Sequence, residues 1–527
     1  MNMRVQPDAD GPVGPAGPPA QTDGDLGTSR GTGPDDGHPT VQRPHEGHST
    51  EPGTDEVRLT DARSDPSGAR GHKGTRPGAA SAPEPRSTPH PLRVESLRGF
   101  APWAGAGLLL ALAWAVAAKS AEWQGSWGET TEMLSTAAAM IGVPFALAAG
   151  SWQGGRERRL RMTELRSSTA RTPLVQLLVA ALPLAGWLAA AYLLVAAGVL
   201  IACAPYASAG GPAPTVYAGN ALSLAACAVL GHTAGRAVSF RLTAPLLAIG
   251  GYLVAGVLGT QRSDLRYLAF CAVHILGDEN LAVWWYPLVS ALWAAGLAAA
   301  AVLALTAYRR ATALLPLAAA LGAAVLLVQT GDGLLRDNPL AHHQVCDTSA
   351  APDICVNATY PGMLPEVTRA LSGLTGRLEG VRNLPVLYED LRRSPRRNEA
   401  QLPNLTPFGW SAVRAEVTDP ERYAWEAAHA LVRWDCPASP PAQRVQVTDE
   451  AVLRWLAPDS LSEDLRRRFM ARARQQGDTK ELARYRAEDR AYAHLTAMTD
   501  DERRSWLGRY FATADQCDPK PSEVPSL

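Results

Sequence analysis

The sequence predicts an all-α polytopic membrane protein with about seven transmembrane helices, a mainly α-helical C-terminal soluble domain and a disordered N-terminal tail. Three observations carry that prediction. Between Phe100 and Gln329 the chain runs through seven apolar stretches, each near the roughly 20 residues that cross a bilayer. Residues 1–90 are polar and rich in Gly and Pro, and the segment after Thr330 reads as amphipathic helices carrying four of the seven cysteines. The whole-chain averages, 46% hydrophobic with a mean hydropathy of -0.09, describe none of the three parts.

The first segment, residues 1–90, contains almost no aromatic or β-branched clusters. It cannot bury enough apolar area to offset chain entropy, so it is expected to be a disordered tail. Its histidines, His38, His45, His48, His72 and His90, show no recurring ligand spacing and read as solvated side chains. The net charge of -1 leaves no global basic field, so nucleic acid is excluded as the main partner.

The membrane region is expected over residues 91–330, with spans at about 100–119, 133–152, 173–203, 216–234, 244–260, 286–308 and 311–329. The third is longer than a crossing needs and must tilt, kink at Pro183 or project. Asn220 and His232 interrupt the fourth, and His232 is expected at the membrane interface. Gly231 with Gly235 gives the small-residue spacing that lets helices approach closely in lipid. From Tyr286 to Gln329 the only charges are Arg309 and Arg310. One helix of that length would extend about 65 Å, and arginine at the bilayer centre costs about 2.5 to 3.5 kcal/mol. Two spans with a basic turn between them follow.

Arginine also orients the bundle. The connector after the second span carries Arg156, Arg158, Arg159, Arg161, Arg166 and Arg171; the alternate loops carry Arg236 with Arg241 and Arg309 with Arg310. The positive-inside rule puts these loops and the N-terminus in the cytoplasm. Seven crossings of the cell membrane then leave residues 331–527 as an extracytoplasmic domain. Cys271 and His274 are three apart in an outer connector, but no third ligand lies nearby.

In the C-terminal domain, Asp419, Pro420 and Glu421 open a helix through Trp434, with Tyr423, Ala427, Leu431 and Trp434 on one face. Thr499 and Glu502 form a capping box. Extended candidates are RNLPVLYE and GWSAVRAEV, so one small sheet at most is expected beside the helices. Four cysteines in a domain placed outside suit disulfides. The favoured of three pairings is Cys346 with Cys355 and Cys436 with Cys517.

Glu426 and His429 share one helix face, and they are the candidates for a metal, with His342 and His343 as possible further donors. Zinc peptidases of the HExxH type need two histidines flanking the glutamate, and YAWEAAHALVRW supplies one. No GxSxG elbow, no paired-carboxylate site and no GxxxxGK[ST] loop is present. The expectation is therefore no enzyme, no cofactor and no bound metal.

The lead-in LRVESLRGFAPWAG, an uncharged helical hairpin and the connector RERRLRMTELRSST resemble ABC-2 type exporter permeases, actinobacterial ones in particular. The resemblance covers Leu92 to about Arg310. It implies an amphipathic helix at Arg93–Arg98, and a coupling element made by Arg156, Arg158, Arg159, Arg161 and Glu164 that docks on a separate ATPase. It also implies a homo- or heterodimer in the lipid bilayer. The seventh span and the C-terminal domain depart from the family's six-span pattern. The expected function is a permease-like subunit working with that ATPase; the alternative is a membrane-anchored extracytoplasmic binding or sensing protein.

Overall fold

Each apolar run of the sequence forms a helix. The computed structural model describes residues 4–7, 97, 99–159, 172–238, 240–271, 277–349, 352–385, 387–390, 399–403, 405, 411–432, 442–514, 516 and 519–527. These belong to one unit, Met1–Ala9 with Pro89–Leu527; a second, Asp10–Thr88, lies outside the described residues. The tail is therefore described only at β1 (Arg4–Pro7), which pairs antiparallel with strand β4, introduced below.

The apolar helices are α1 (Ala101–Ala117), α2 (Trp127–Gly154), α3 (Pro173–Cys203), α4 (Pro214–Ala237), α5 (Thr243–Gly259), α6 (Tyr286–Thr306) and α7 (Leu314–Thr330). Five are long and apolar enough to cross a membrane: α2, α3, α4, α6 and the run Arg310–Leu334 that contains α7. The other two, α1 and α5, have 17 residues each, a rise of about 25 Å that is the lower end of the crossing range.

Local sequence explains the irregularities. Pro144 has no N–H to donate backwards, and the helix widens into a π turn over Ala138–Gly142 just before it. Ser126 caps the start of α2 by accepting from Gly128 N at 3.0 Å and Glu129 N at 3.4 Å. Helix α3 is continuous through Pro183 for 31 residues, about 46 Å of rise. The chain breaks between α6 and α7 at Arg309, as the arginine pair predicts.

Small residues set the packing. A Cβ on Gly150 would lie 2.1 Å from Ala228 O, one on Gly231 2.2 Å from Leu147 O, and one on Gly235 2.1 Å from Ser151 O. The backbones of α2 and α4 are in direct contact, and the expected Gly231–Gly235 spacing lies in that seam. His232, expected at the membrane interface, is 1% exposed within the same seam, beside Gly154 near the end of α2, because the close approach encloses it. Asn220 donates to Ser135 Oγ and to Tyr192 OH, each at 3.1 Å, so the polar residue in α4 is used to tie three helices together.

The two ends of the bundle differ. Gly155 at the end of α2 lies beside Gly235 at the end of α4, and Leu177 near the start of α3 packs on Val302 near the end of α6. The arginine connectors of α2 and α4 thus leave from one end, along with the end of α6. At the other end Cys203 of α3 approaches Ser126 O, Thr131 of α2 meets Tyr217 of α4, and Tyr286 of α6 packs on Leu327 of α7. The C-terminal domain attaches to that second end. Strand β2 (Asn280–Ala282) pairs with β3 (Leu335–Asp337) across the junction.

In the C-terminal domain β4 (His343–Asp347), β5 (Asp353–Asn357), β6 (Leu387–Glu389) and β7 (Glu399–Gln401) form a sheet in the order β1-β4-β5-β6-β7. Helix α8 (Leu364–Leu378) crosses from β5 to its parallel neighbour β6, burying Leu364, Val367, Leu371, Leu374 and Leu378 at helical spacing. A hairpin, β8 (Ala412–Val413) and β9 (Glu416–Val417), turns through Arg414 and Ala415 at positive φ. Helices α9 (Pro420–His429), α10 (Gln443–Leu456), α11 (Ser460–Gln476), α12 (Thr479–Ala497) and α13 (Asp500–Phe511) complete the domain. The five-stranded sheet is larger than expected, since strands of three to five residues are too short to show an alternating pattern. Helix α9 stops at His429, short of the expected Trp434, which lies outside the described residues.

Candidate functional site

The junction between bundle and C-terminal domain holds a cavity of about 680 Å³, within the range of small-molecule sites. Its walls come from the start of α2 (Trp127, Thr131), the Gly-Pro loop before α4 (Gly210, Pro212), Trp284, and Leu340 with Thr359 of the C-terminal domain. Among the described residues Arg336 of β3 is the only lysine or arginine lining it. The arrangement suits a mostly apolar molecule with one anionic or acceptor group near Arg336.

Asp278 fixes the geometry. It is 4% exposed, and its two carboxylate oxygens accept from the Ser126 hydroxyl at the cap of α2 and from the Tyr360 hydroxyl of the C-terminal domain. Its own carbonyl accepts from Asn338 Nδ2 at 2.7 Å, and Asn338 Oδ1 accepts from Leu340 N at 3.1 Å. One carboxylate thereby joins the helix bundle, the connector and the sheet domain. Gly128 is required beside it, because a Cβ there would lie 2.5 Å from Asp278 Oδ1. Thr131 donates to Trp127 O at 2.7 Å, so its contact with Tyr217 OH at 2.8 Å has the tyrosine as donor.

Of the residues expected to couple to an ATPase, the described ones lie at the opposite end of the bundle. Arg156 is exposed, and Arg159 stacks 4.1 Å over the Trp152 ring while donating to Trp152 O. Arg158's side chain, Arg161 and Glu164 lie outside the described residues. Cys346 and Cys355 face one another across β4 and β5 and form the expected disulfide; Cys436 and Cys517 lie outside the described residues, as does His274. Cys203, Cys227 and Cys271 are buried free thiols.

Glu426 and His429 are not arranged as ligands. Glu426 accepts from Ser411 Oγ at 2.6 Å and from Arg422 Nε at 3.3 Å, and Arg422 also donates to Asp459 at 3.1 Å. Trp425 stands where the first histidine of HExxH would be, with the Arg422 guanidinium 3.9 Å above its ring and the His429 ring edge-on at 3.9 Å. Burial, reinforced by the Arg422 charge, lowers the His429 pKa to about 4. Among the described residues no three His, Cys, Asp or Glu side chains converge as a metal site, His342 and His343 included.

Sequence reasoning counted Asp278 only as one acidic residue of an outer connector and passed over Tyr360 and Arg336. The one local signal was a Gly-Asp pair at 277–278 facing an Ala-Gly-Gly-Pro loop at 209–212. Comparison with protein-family models, curated proteins and solved structures gave no match to this chain.

Proposed function

We propose that the chain is a membrane-spanning, permease-like subunit that works with a separate ATPase and passes a hydrophobic or peptide-like substrate to the junction cavity. The observation that carries this reading is the polarity of the molecule. Arginine connectors leave one end of the bundle, and the 680 Å³ cavity under a folded domain lies at the other. On this reading α1 and α5 cross as well, and the positive-inside rule would then put the N-terminal tail and arginine loops in the cytoplasm and the C-terminal domain outside. The Cys346–Cys355 disulfide suits that compartment. This placement and the pairing of Arg4–Pro7 with β4 exclude one another, because residues 8–99 contain no apolar run that could carry the tail across.

The test is co-purification of the tagged full chain in mild detergent. An ATPase, identified by its peptides and by ATP hydrolysis, is expected with the wild type. Replacing Arg156 and Arg159 by glutamate should cut its recovery about tenfold at unchanged membrane level. A wild-type preparation without ATPase sinks the reading.

The alternative, a membrane-anchored binding or sensing protein, draws support from the α2–α4 seam. Backbones in direct contact leave no passage between those two helices. On this alternative the Arg156 and Arg159 replacements change nothing, and ligand binding in the cavity survives them.

A further inference from the structure

A second cavity, of about 410 Å³, lies between α1 and α3. Leu109, Ala113 and Val116 form one wall, Leu194, Val199 and Ala202 the other, and among the described residues no charged side chain lines it. Both walls are apolar helices, so in a bilayer the cavity sits at acyl-chain depth and opens toward lipid. It ends at Ser120 and Gln124, in the turn joining α1 to α2.

The β8–β9 hairpin lands on that turn. A Cβ on Gly125, which has φ +117°, would lie 2.8 Å from Ala415 N, and Arg414 donates from Nη2 to Ser120 Oγ at 3.2 Å. Arg414 and Ala415 hold φ values of 58° and 54° to make this approach. Two polar atoms near this end are buried without a hydrogen-bond partner among the described residues: Gln124 Oε1, an acceptor on a residue that lines the cavity, and Arg414 Nε, a donor on the residue that bonds Ser120 of its lining. Buried polar groups are nearly always paired, so two orphans beside an apolar groove mark the place of a head group. Arg414 Nε suits a phosphate oxygen, and Gln124 Oε1 suits a hydroxyl.

We propose that this groove holds one acyl chain of an anionic, hydroxyl-bearing phospholipid from the leaflet nearest the C-terminal domain, with its head group on Arg414 and Gln124. The site rests on membrane insertion alone and not on the ATPase pairing, so it stands or falls separately from the transport reading.

Native mass spectrometry of the full chain from nanodiscs of equal phosphatidylglycerol and phosphatidylcholine tests it. One phosphatidylglycerol per chain should persist after the other lipids are stripped. Arg414→Gln should lower the preference for phosphatidylglycerol about tenfold, and Arg414→Lys should keep part of it. Gly198→Phe should remove the retained lipid: Gly198 lines the groove and a Cβ there meets nothing within 4 Å, so the ring fills the space without disturbing the helices. Equal retention of the two lipids by the wild type, or retention undiminished in Gly198→Phe, means annular lipid only and overturns the site.

Discussion

The bundle and the C-terminal domain solve the packing problem with opposite materials. The α2–α4 seam is glycine and alanine, with backbone against backbone. The C-terminal core is Tyr360, Tyr388, Tyr423 and Tyr510 with the leucines of α8, framed by arginine networks such as Arg466 with Glu488 at 3.3 Å and Asp489 at 3.0 Å. In lipid, burying a large apolar side chain gains little over leaving it in the hydrocarbon, so close approach and dispersion decide. In water, large apolar burial is the main stabilising term. The contrast teaches that a one-methyl change should be severe in one region and minor in the other.

Gly150→Leu is the most severe way to test that. With a Cβ already 2.1 Å from Ala228 O, the two helices must separate, and the cost exceeds the roughly 1–3 kcal/mol of ordinary overpacking. The expected outcome is loss of the monodisperse peak in detergent size-exclusion chromatography. Gly256→Leu is the control, since a Cβ there meets nothing within 4 Å, and it should leave the peak unchanged. In the C-terminal domain the corresponding break is electrostatic. Arg422 has a side chain 11% exposed and Asp459 one 2% exposed, so Arg422→Ala strands two carboxylates and should cost about 3–5 kcal/mol in denaturant unfolding. Arg467→Ala removes a pair whose members are 73% and 48% exposed and should change stability by under about 0.5 kcal/mol.

The same contrast explains what the sequence could disclose. Every apolar helix was legible, because about 20 consecutive residues share one solvent and the signal accumulates. The break at Arg309 was legible because two charges inside an otherwise uncharged run of 44 residues have no cheap alternative to a turn. The sheet was not, since β6 and β7 have three residues each and gain their strand character from neighbours far along the chain. The junction cavity was hidden for a related reason: Ser126, Asp278 and Tyr360 come from three separate parts of the chain. Of the residues singled out, Cys346 and Cys355 were found because a short loop with two cysteines constrains itself. Glu426 and His429 satisfied a spacing, but Trp425 and Arg422 occupy their surroundings.

The disulfide sharpens the comparison at a smaller scale. It closes a sequence separation of 9, for which chain entropy gives about 2.5 kcal/mol. Replacing both cysteines by serine should lower the unfolding free energy of the C-terminal domain by about that amount and leave detergent monodispersity unaffected. Non-reducing peptide mapping of membrane-derived protein checks the premise; a reduced pair there removes this support for an extracytoplasmic domain.

A smaller effect than the disulfide's is a pH dependence in the C-terminal domain. His429 has its pKa lowered from 6.5 to about 4, chiefly by burial and then by the nearby Arg422 charge. The unfolded chain therefore binds a proton at a pH where the folded one does not, and stability falls as pH drops from about 6.5 toward 4. Because His429 is only partly buried as a residue, the full effect is discounted to about 2 kcal/mol. Most of the window below pH 5 is shared with carboxylates, so the informative comparison is wild type against His429→Leu between about pH 6.5 and 5, where carboxylates are mostly ionised. The wild type should lose about 1–2 kcal/mol across that interval and the variant almost none. Parallel slopes would mean that His429 gains a charge in the folded domain at ordinary pH, which would reopen the space around Trp425 as a place for an anion.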